Sequence, residues 1–233
     1  MHYLYLKKLP SEKSLFFPFL ARFLPGALVF LGLFLISFAL VPVFSYKLSS
    51  SPRFVPLVEP ISEETKMEVL GVNEATDFKR PVNWFIKMPN FPPRPTRITH
   101  YNLSIPKLGI ENAVVQVGGE NLEETLIQYE GTAYPGQFGN TVIFGHSVLP
   151  AFFNPENYLT IFSTLPTLEK GDEVLINFDG ISYKYVVFEL VEVEPTDISV
   201  LEQRYDDYYL TLITCVPPGT YFRRLAVRTR LAR

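Results

Sequence analysis

One cysteine and three histidines are present in 233 residues, so any thiol or imidazole chemistry has few possible carriers. Cys215 ends the apolar run Tyr209-Leu210-Thr211-Leu212-Ile213-Thr214-Cys215, and Arg223-Arg224 follows shortly after. A second strand-like run, Thr141-Val142-Ile143-Phe144-Gly145, leads into His146. A thiol, an imidazole and a guanidinium at or near strand ends are the parts for nucleophilic attack on a carbonyl. The attacking species is the thiolate, which needs positive charge or a base close by. Arg224 is charged at any working pH and can lower the thiol pKa, hold a carbonyl and stabilise an oxyanion. His146 titrates near neutrality, so it suits protonating a departing amine and deprotonating an incoming one. Each residue also has a plainer role. A lone cysteine at a strand end is often a small buried hydrophobe, and Arg223, Arg228, Arg230 and Arg233 suit a solvent-facing terminal strand. His100 is a spare base that belongs to no motif.

The elements that must position these groups are β-strands. After His100 the chain alternates short apolar runs with turn signals, the pattern of an all-β barrel or sandwich. Expected strands are residues 101–105, 113–117, 140–145, 173–178, 181–193, 209–214 and 222–231. Asp179-Gly180 signals a hairpin between the fourth and fifth. Asn121 and Glu124 predict a capped short helix over 122–128. If Pro217-Pro218-Gly219-Thr220 turns a symmetric hairpin, facing residue numbers sum to 439, which sets Cys215 opposite Arg224, Ile213 opposite Ala226 and Thr211 opposite Arg228. Leu210, Leu212 and Thr214 then share the core face with Thr229, Val227 and Leu225. Cys215 and Arg224 are expected on the other, accessible face; a one-residue slip would turn polar side chains inward.

Upstream, residues 23–46 are 24 in number and carry no charge. As a helix they would extend ~36 Å, enough for a ~30 Å hydrocarbon core. They exceed a signal peptide's apolar region, although Ser37-Phe38-Ala39 offers a weak cleavage site. Lys7, Lys8, Lys13 and Arg22 precede them against Glu12 alone, which predicts a cytoplasmic N-terminus and an extracytoplasmic remainder. Four regions are therefore expected: a basic cytoplasmic segment 1–22, a transmembrane helix 23–46, a stalk 47–99 with eight prolines, and a barrel domain 100–233. Residues 1–100 hold 12 Lys+Arg and 7 Asp+Glu, a net +5, while residues 101–233 hold 9 and 17, a net -8. An acidic barrel argues against nucleic acid as partner. A single thiol forms no intramolecular disulfide, and outside the membrane it is a candidate reactive group.

These motifs resemble the sortases, membrane-anchored cysteine transpeptidases of mainly Gram-positive bacterial surfaces. Thr211-Leu212-Ile213-Thr214-Cys215 is similar to the family's TLxTC signature, and Arg224 falls nine residues on, where the family's arginine does. Residues 139–146 are similar to the segment ending in the family's histidine, Ile105-Pro106-Lys107-Leu108-Gly109-Ile110 to its first strand, and Leu168-Glu169-Lys170-Gly171-Asp172 to the turn after its histidine loop. The resemblance runs from about Tyr101 to the C-terminus. It implies a closed eight-stranded β-barrel with one or two short helices, preceded by the membrane helix. His146, Cys215 and Arg224 would be catalytic, with Thr211 and Thr214 contributing to substrate binding. The substrates implied are proteins bearing a C-terminal LPxTG-like sorting signal, and the acceptor an amine on a cell-wall precursor or another protein. This chemistry requires no metal or organic cofactor. The aromatic stretch between 148 and 165 either lines the peptide groove or caps the barrel. The absence of a second apolar segment before Arg233 favours a general protein-anchoring enzyme over a pilus-polymerising one. Two other readings compete: a non-catalytic binding barrel on a stalk, whose thiol would be buried and inert, and a cysteine peptidase that only hydrolyses.

Overall fold

The computed structural model describes residues 16–49, 55–56 and 77–232. Residues 1–15 of the basic segment expected at 1–22, and most of the stalk before residue 77, lie outside the described residues, while residues 16–22 belong to the helix. A helix, α1 (Phe16–Ser49), covers the apolar segment. Its described side chains run unbroken only from Phe23 to Phe38. Among the described residues no helix is long and apolar enough to cross a membrane. The chain divides into two compact units, residues 1–41 and 42–233.

The second unit is a closed barrel. A two-residue strand, β1 (Val55–Pro56), adds in parallel to the outside of β7. The barrel strands are β2 (His100–Ile105), β3 (Ile110–Val117), β4 (Leu126–Gln128), β5 (Gly139–Phe144), β6 (Glu173–Phe178), β7 (Ile181–Val193), β8 (Tyr208–Val216) and β9 (Arg223–Leu231). They pair in the order β7-β6-β2-β3-β4-β5-β8-β9, and β9 returns to β7, which closes the eight-stranded ring. Closure leaves no free sheet edge within the ring. Asp179 and Gly180 both take positive φ, 53° and 73°, between Phe178 and Ile181, as a two-residue hairpin of matching twist requires.

The short helix expected over 122–128 is not formed. Asn121 does act as a cap, accepting from the Glu123 N–H and donating to Glu124 Oε1. It closes only one turn, because Leu126–Gln128 leave it as β4, fully buried between β3 and β5. Burial of three side chains against two strands outweighs a local cap signal. Beyond α1, the helical turns among the described residues are 3-10 turns, such as Pro81–Asn83 and Leu165–Thr167.

Two apolar clusters lie on opposite sides of β8 and β9. The barrel interior takes Leu210, Leu212, Leu225 and Val227 together with Leu103, Val115 and Ile143. This is the core face expected from the hairpin register. The outer face was expected to be open, yet Ile213, Cys215 and Ala226 are buried there beneath Trp84, Phe85, Val200 and Leu201. A strand buried on both faces reads as a continuous apolar run rather than an alternating one, and Tyr209–Val216 has that texture. The cover comes from residues 77–88, part of the proline-rich segment, which pack on the barrel rather than extending from it. The aromatic stretch after His146 caps the barrel: Ile161, Phe162 and Leu165 enter the interior core, with Phe153 and Tyr158 packed against it.

Candidate active site

Three strand pairings assemble the expected residues. The β8–β9 hairpin sets Cys215 opposite Arg224, with Ile213 opposite Ala226 and Thr211 opposite Arg228, as the facing sum of 439 requires. Parallel pairing of β5 with β8 runs to Phe144 beside Ile213, and the Gly145 N–H then donates to Ile213 O at 3.1 Å. His146 is thereby delivered beside the end of β8. Gly145 permits this approach, since a Cβ there would sit 2.4 Å from the Phe162 ring and 2.6 Å from Leu126.

Neighbouring hydroxyls tie the histidine segment to the cysteine strand. Thr214 Oγ1 donates to Gly145 O at 2.8 Å, and Ser147 Oγ donates to the carbonyl of Cys215 at 2.7 Å. Two hydrogen bonds flanking His146 on both sides thus hold the imidazole and the thiol in one frame. Thr214 acts through its hydroxyl as a brace. Thr211 lies four residues back along β8, on the order of 13 Å away at strand rise, where its hydroxyl donates to Asn140 Oδ1 at 2.8 Å. His100 is exposed at the start of β2 beside Thr99, and the structure does not bring it to the site. Arg223, Arg228 and Arg230 form ion pairs with Glu192, Glu189 and Asp207; Arg230 is exposed as expected, Arg223 and Arg228 are half-buried, and Arg233 lies outside the described residues.

The three central side chains are almost sealed: Cys215 and Arg224 are 1% exposed and His146 8%. Burial pushes the Cys215 thiol up to about 11, with the Arg224 charge opposing that shift. Burial likewise moves His146 below its ordinary 6.5, so both groups are neutral at pH 7. The imidazole Nε2 is buried and has no hydrogen-bond partner among the described residues. Arg224 Nε donates to Trp84 O at 2.9 Å, and Nη1 donates to Tyr221 O and Arg223 O at 2.9 and 3.2 Å. No carboxylate pairs with it among these contacts; backbone carbonyls and the Phe78, Trp84 and Phe85 rings, about 6 Å away, surround it.

Trp84, Phe85 and Ser147 are the site neighbours that sequence reasoning missed. The single tryptophan of the chain, placed in a segment otherwise suited to a stalk, was the one signal available. A pH effect follows from the imidazole. Because its folded-state pKa lies below the unfolded 6.5, the unfolded chain binds the proton first, and stability is lost as pH falls from 6.5 toward the folded value. The thermal midpoint of the wild type is therefore expected to drop relative to that of His146→Gln between pH 7 and pH 5. A gap that stays constant would show that the buried imidazole carries no such penalty.

A barrel that sets a thiol opposite an arginine and beside a histidine defines a class of thiol acyl-transfer enzymes. Residues 103–232 match the Sortase domain family model, and the chain belongs to this family of cysteine transpeptidases, which act on sorting-signal proteins and amine nucleophiles. Sortase D of Bacillus subtilis (strain 168) is 26% identical over 162 residues, covering 68% of this chain and 75% of that protein. Among solved structures, a sortase D5 transpeptidase of Clostridium perfringens superposes with a TM-score of 0.50 at 25% identity, over 75% of this chain and 91% of the other. Sortase A of Corynebacterium diphtheriae gives 0.51 at 29% identity, over 60% and 63%.

Proposed function

We propose that this enzyme cleaves an LPxTG-like sorting signal on exported proteins and transfers the acyl group to an amine on a cell-wall precursor or another protein. The observation that carries this reading is the alignment of Cys215 with Arg224 across β8 and β9, with His146 tied to the same strand end. In the resting site sulfur carries the proton and the imidazole is neutral. The proton passes from the Cys215 thiol to His146, and the thiolate attacks the carbonyl before the scissile bond. The Arg224 guanidinium holds the oxygen as negative charge builds on it. As the C–N bond breaks, His146 returns the proton to the departing amine, which leaves a thioester on Cys215. An incoming amine then attacks, gives its proton to His146, and expels the thiolate.

In the same reading, residues 23–46 anchor the enzyme in the cell membrane with its N-terminus cytoplasmic and the barrel outside. The uncharged stretch and the basic residues before it support that placement. Incubating the protein with an LPxTG-containing peptide, with and without an added amine, separates transfer from hydrolysis. Ligated product is expected only when the amine is present. Hydrolysed peptide alone in both reactions would favour the purely hydrolytic enzyme, and no cleavage of any sorting peptide would favour the binding barrel.

A further inference from the structure

We propose that the barrel carries a second binding site on the wall facing away from Cys215, a polar cavity on the outer face of β2, β6 and β7 that takes one acetamido-bearing unit of a neutral oligosaccharide. It stands independently of the transpeptidase reading. In the ring order β7-β6-β2-β3-β4-β5-β8-β9, β2 is four strands from β8 in either direction, and β6 is likewise four from β5, so this cavity and the Cys215–His146 site open on opposite sides of the barrel. The cavity measures about 240 Å³. That is below the ~300–1,000 Å³ of pockets for drug-sized ligands, and suits a single sugar ring.

Strand register builds the floor in two rows. Asn102 of β2 faces Asn177 of β6, which in turn faces Ser182 of β7. The second row is Ser104, Leu175 and Lys184 on the same three strands. Leu103, Ile176 and Tyr185, which alternate with these residues, are buried in the barrel, so both rows face outward. Asn112 lines the cavity from β3, where the register shifts: Leu103 pairs with Ala113 but Ile105 with Ile110. Asn112 sits in that irregularity at φ 51°, and its N–H donates to Ser104 Oγ at 2.8 Å. Bulges of this kind re-aim a side chain. Asparagine is depleted in strands, so three of them on one patch of sheet work against local propensity, as functional positions do. The side chains of Asn102, Asn177 and Ser182 take no part in hydrogen bonds among the described residues, which leaves their donors and acceptors to an incoming ligand.

The lining chemistry selects that ligand. A carboxamide offers two N–H donors and an acceptor oxygen, and a serine hydroxyl both donates and accepts; sugar hydroxyls and an acetamido group return the same set. Lys184 is paired with Glu173 at 2.9 Å, so the cavity presents no uncompensated positive charge to a phosphate or carboxylate. Leu175, 37% exposed between Ser104 and Lys184, supplies an apolar contact of the size of an acetamido methyl. A neutral acetamido sugar uses all three features, whereas a plain glucan leaves Leu175 without a partner.

The test is a titration of the full-length protein with chitotetraose, an oligomer of N-acetylglucosamine, followed by saturation-transfer difference NMR, with maltotetraose as the sugar that lacks acetamido groups. Chitotetraose is expected to bind with a Kd on the order of 1 mM, with the strongest saturation on its acetamido methyls, and maltotetraose at least ~10-fold more weakly. Asn102→Ala/Asn177→Ala changes only the outward row and is expected to weaken chitotetraose ~10-fold or more. Asn177→Val favours the strand, so it should fold at least as well as the wild type and weaken binding severalfold. Raising NaCl from about 50 to about 500 mM should leave the affinity unchanged, because no net charge is engaged. Saturating sugar should also leave the rate of Cys215 alkylation unchanged, since the two sites lie on opposite walls. Binding without cleavage of any sorting peptide would uphold this site and remove the transpeptidase reading. No binding up to about 20 mM, or folded variants that bind like the wild type, would overturn the site. Equal binding of maltotetraose, loss of affinity at high salt, or protection of Cys215 by the sugar would each overturn the assignment of a neutral acetamido sugar to this wall.

Discussion

Cys215→Ala is expected to abolish thioacyl formation and reduce transpeptidation by at least ~10⁴-fold, because no other group in the chain can form the thioester. The barrel should remain folded. The substitution removes one sulfur from the cluster holding Trp84, Phe85, Ile213 and Ala226, and it retains the backbone carbonyl that receives the Ser147 hydroxyl. Truncations of that size cost about 1 kcal/mol in a well-packed site. Mass spectrometry after incubation with a sorting peptide reads the covalent adduct directly, and a melt reads the fold. An adduct that persists in the alanine variant would end the thiol mechanism. Unfolding of the variant would instead favour the inert binding barrel, in which the cysteine is only a packing residue.

The buried thiol is compatible with both outcomes, and this makes the substitution decisive. A sulfur whose pKa is pushed to about 11 by burial is almost wholly protonated at neutral pH. It reacts poorly while sealed. The Arg224 charge works against that shift and favours the thiolate.

How far the sequence anticipated this geometry depends on which interactions set each part. The Cys215–Arg224 register was legible because a short proline-rich turn joins the two strands and fixes which residues face each other, and a one-residue slip would turn polar side chains inward. The Asp179-Gly180 hairpin was legible because its positive φ angles demand those residue types. β4 was not, since three residues give no period and Asn121 supplies a genuine cap signal to a turn that stops early. The cover over the site was hidden for a different reason. Eight prolines between Lys47 and Arg97 predict extension, and nothing local to Trp84 shows that its partners are Phe144 and His146, some 60 residues on. Contacts of that kind are set by tertiary packing alone.

Arg224→Lys tests the last assigned role, and turnover is expected to fall on the order of 10²-fold or more. The guanidinium donates in two directions, through Nε to the Trp84 carbonyl and through Nη1 to Tyr221 O and Arg223 O. The second set fixes the orientation of the fork, and in the proposed reaction Nε–H would be given to a substrate oxygen. A lysine ammonium is a point charge on a flexible stem, and it cannot brace against Tyr221 and hold that oxygen together. The charge itself is kept, so its pull on the Cys215 pKa should change little. Alkylation of Cys215 at several pH values in the folded protein, with and without the Arg224→Lys substitution, therefore separates two functions of one side chain. Similar alkylation profiles with collapsed turnover assign Arg224 to the carbonyl. Near-normal turnover in Arg224→Lys would remove that assignment and leave the residue as a source of positive charge only.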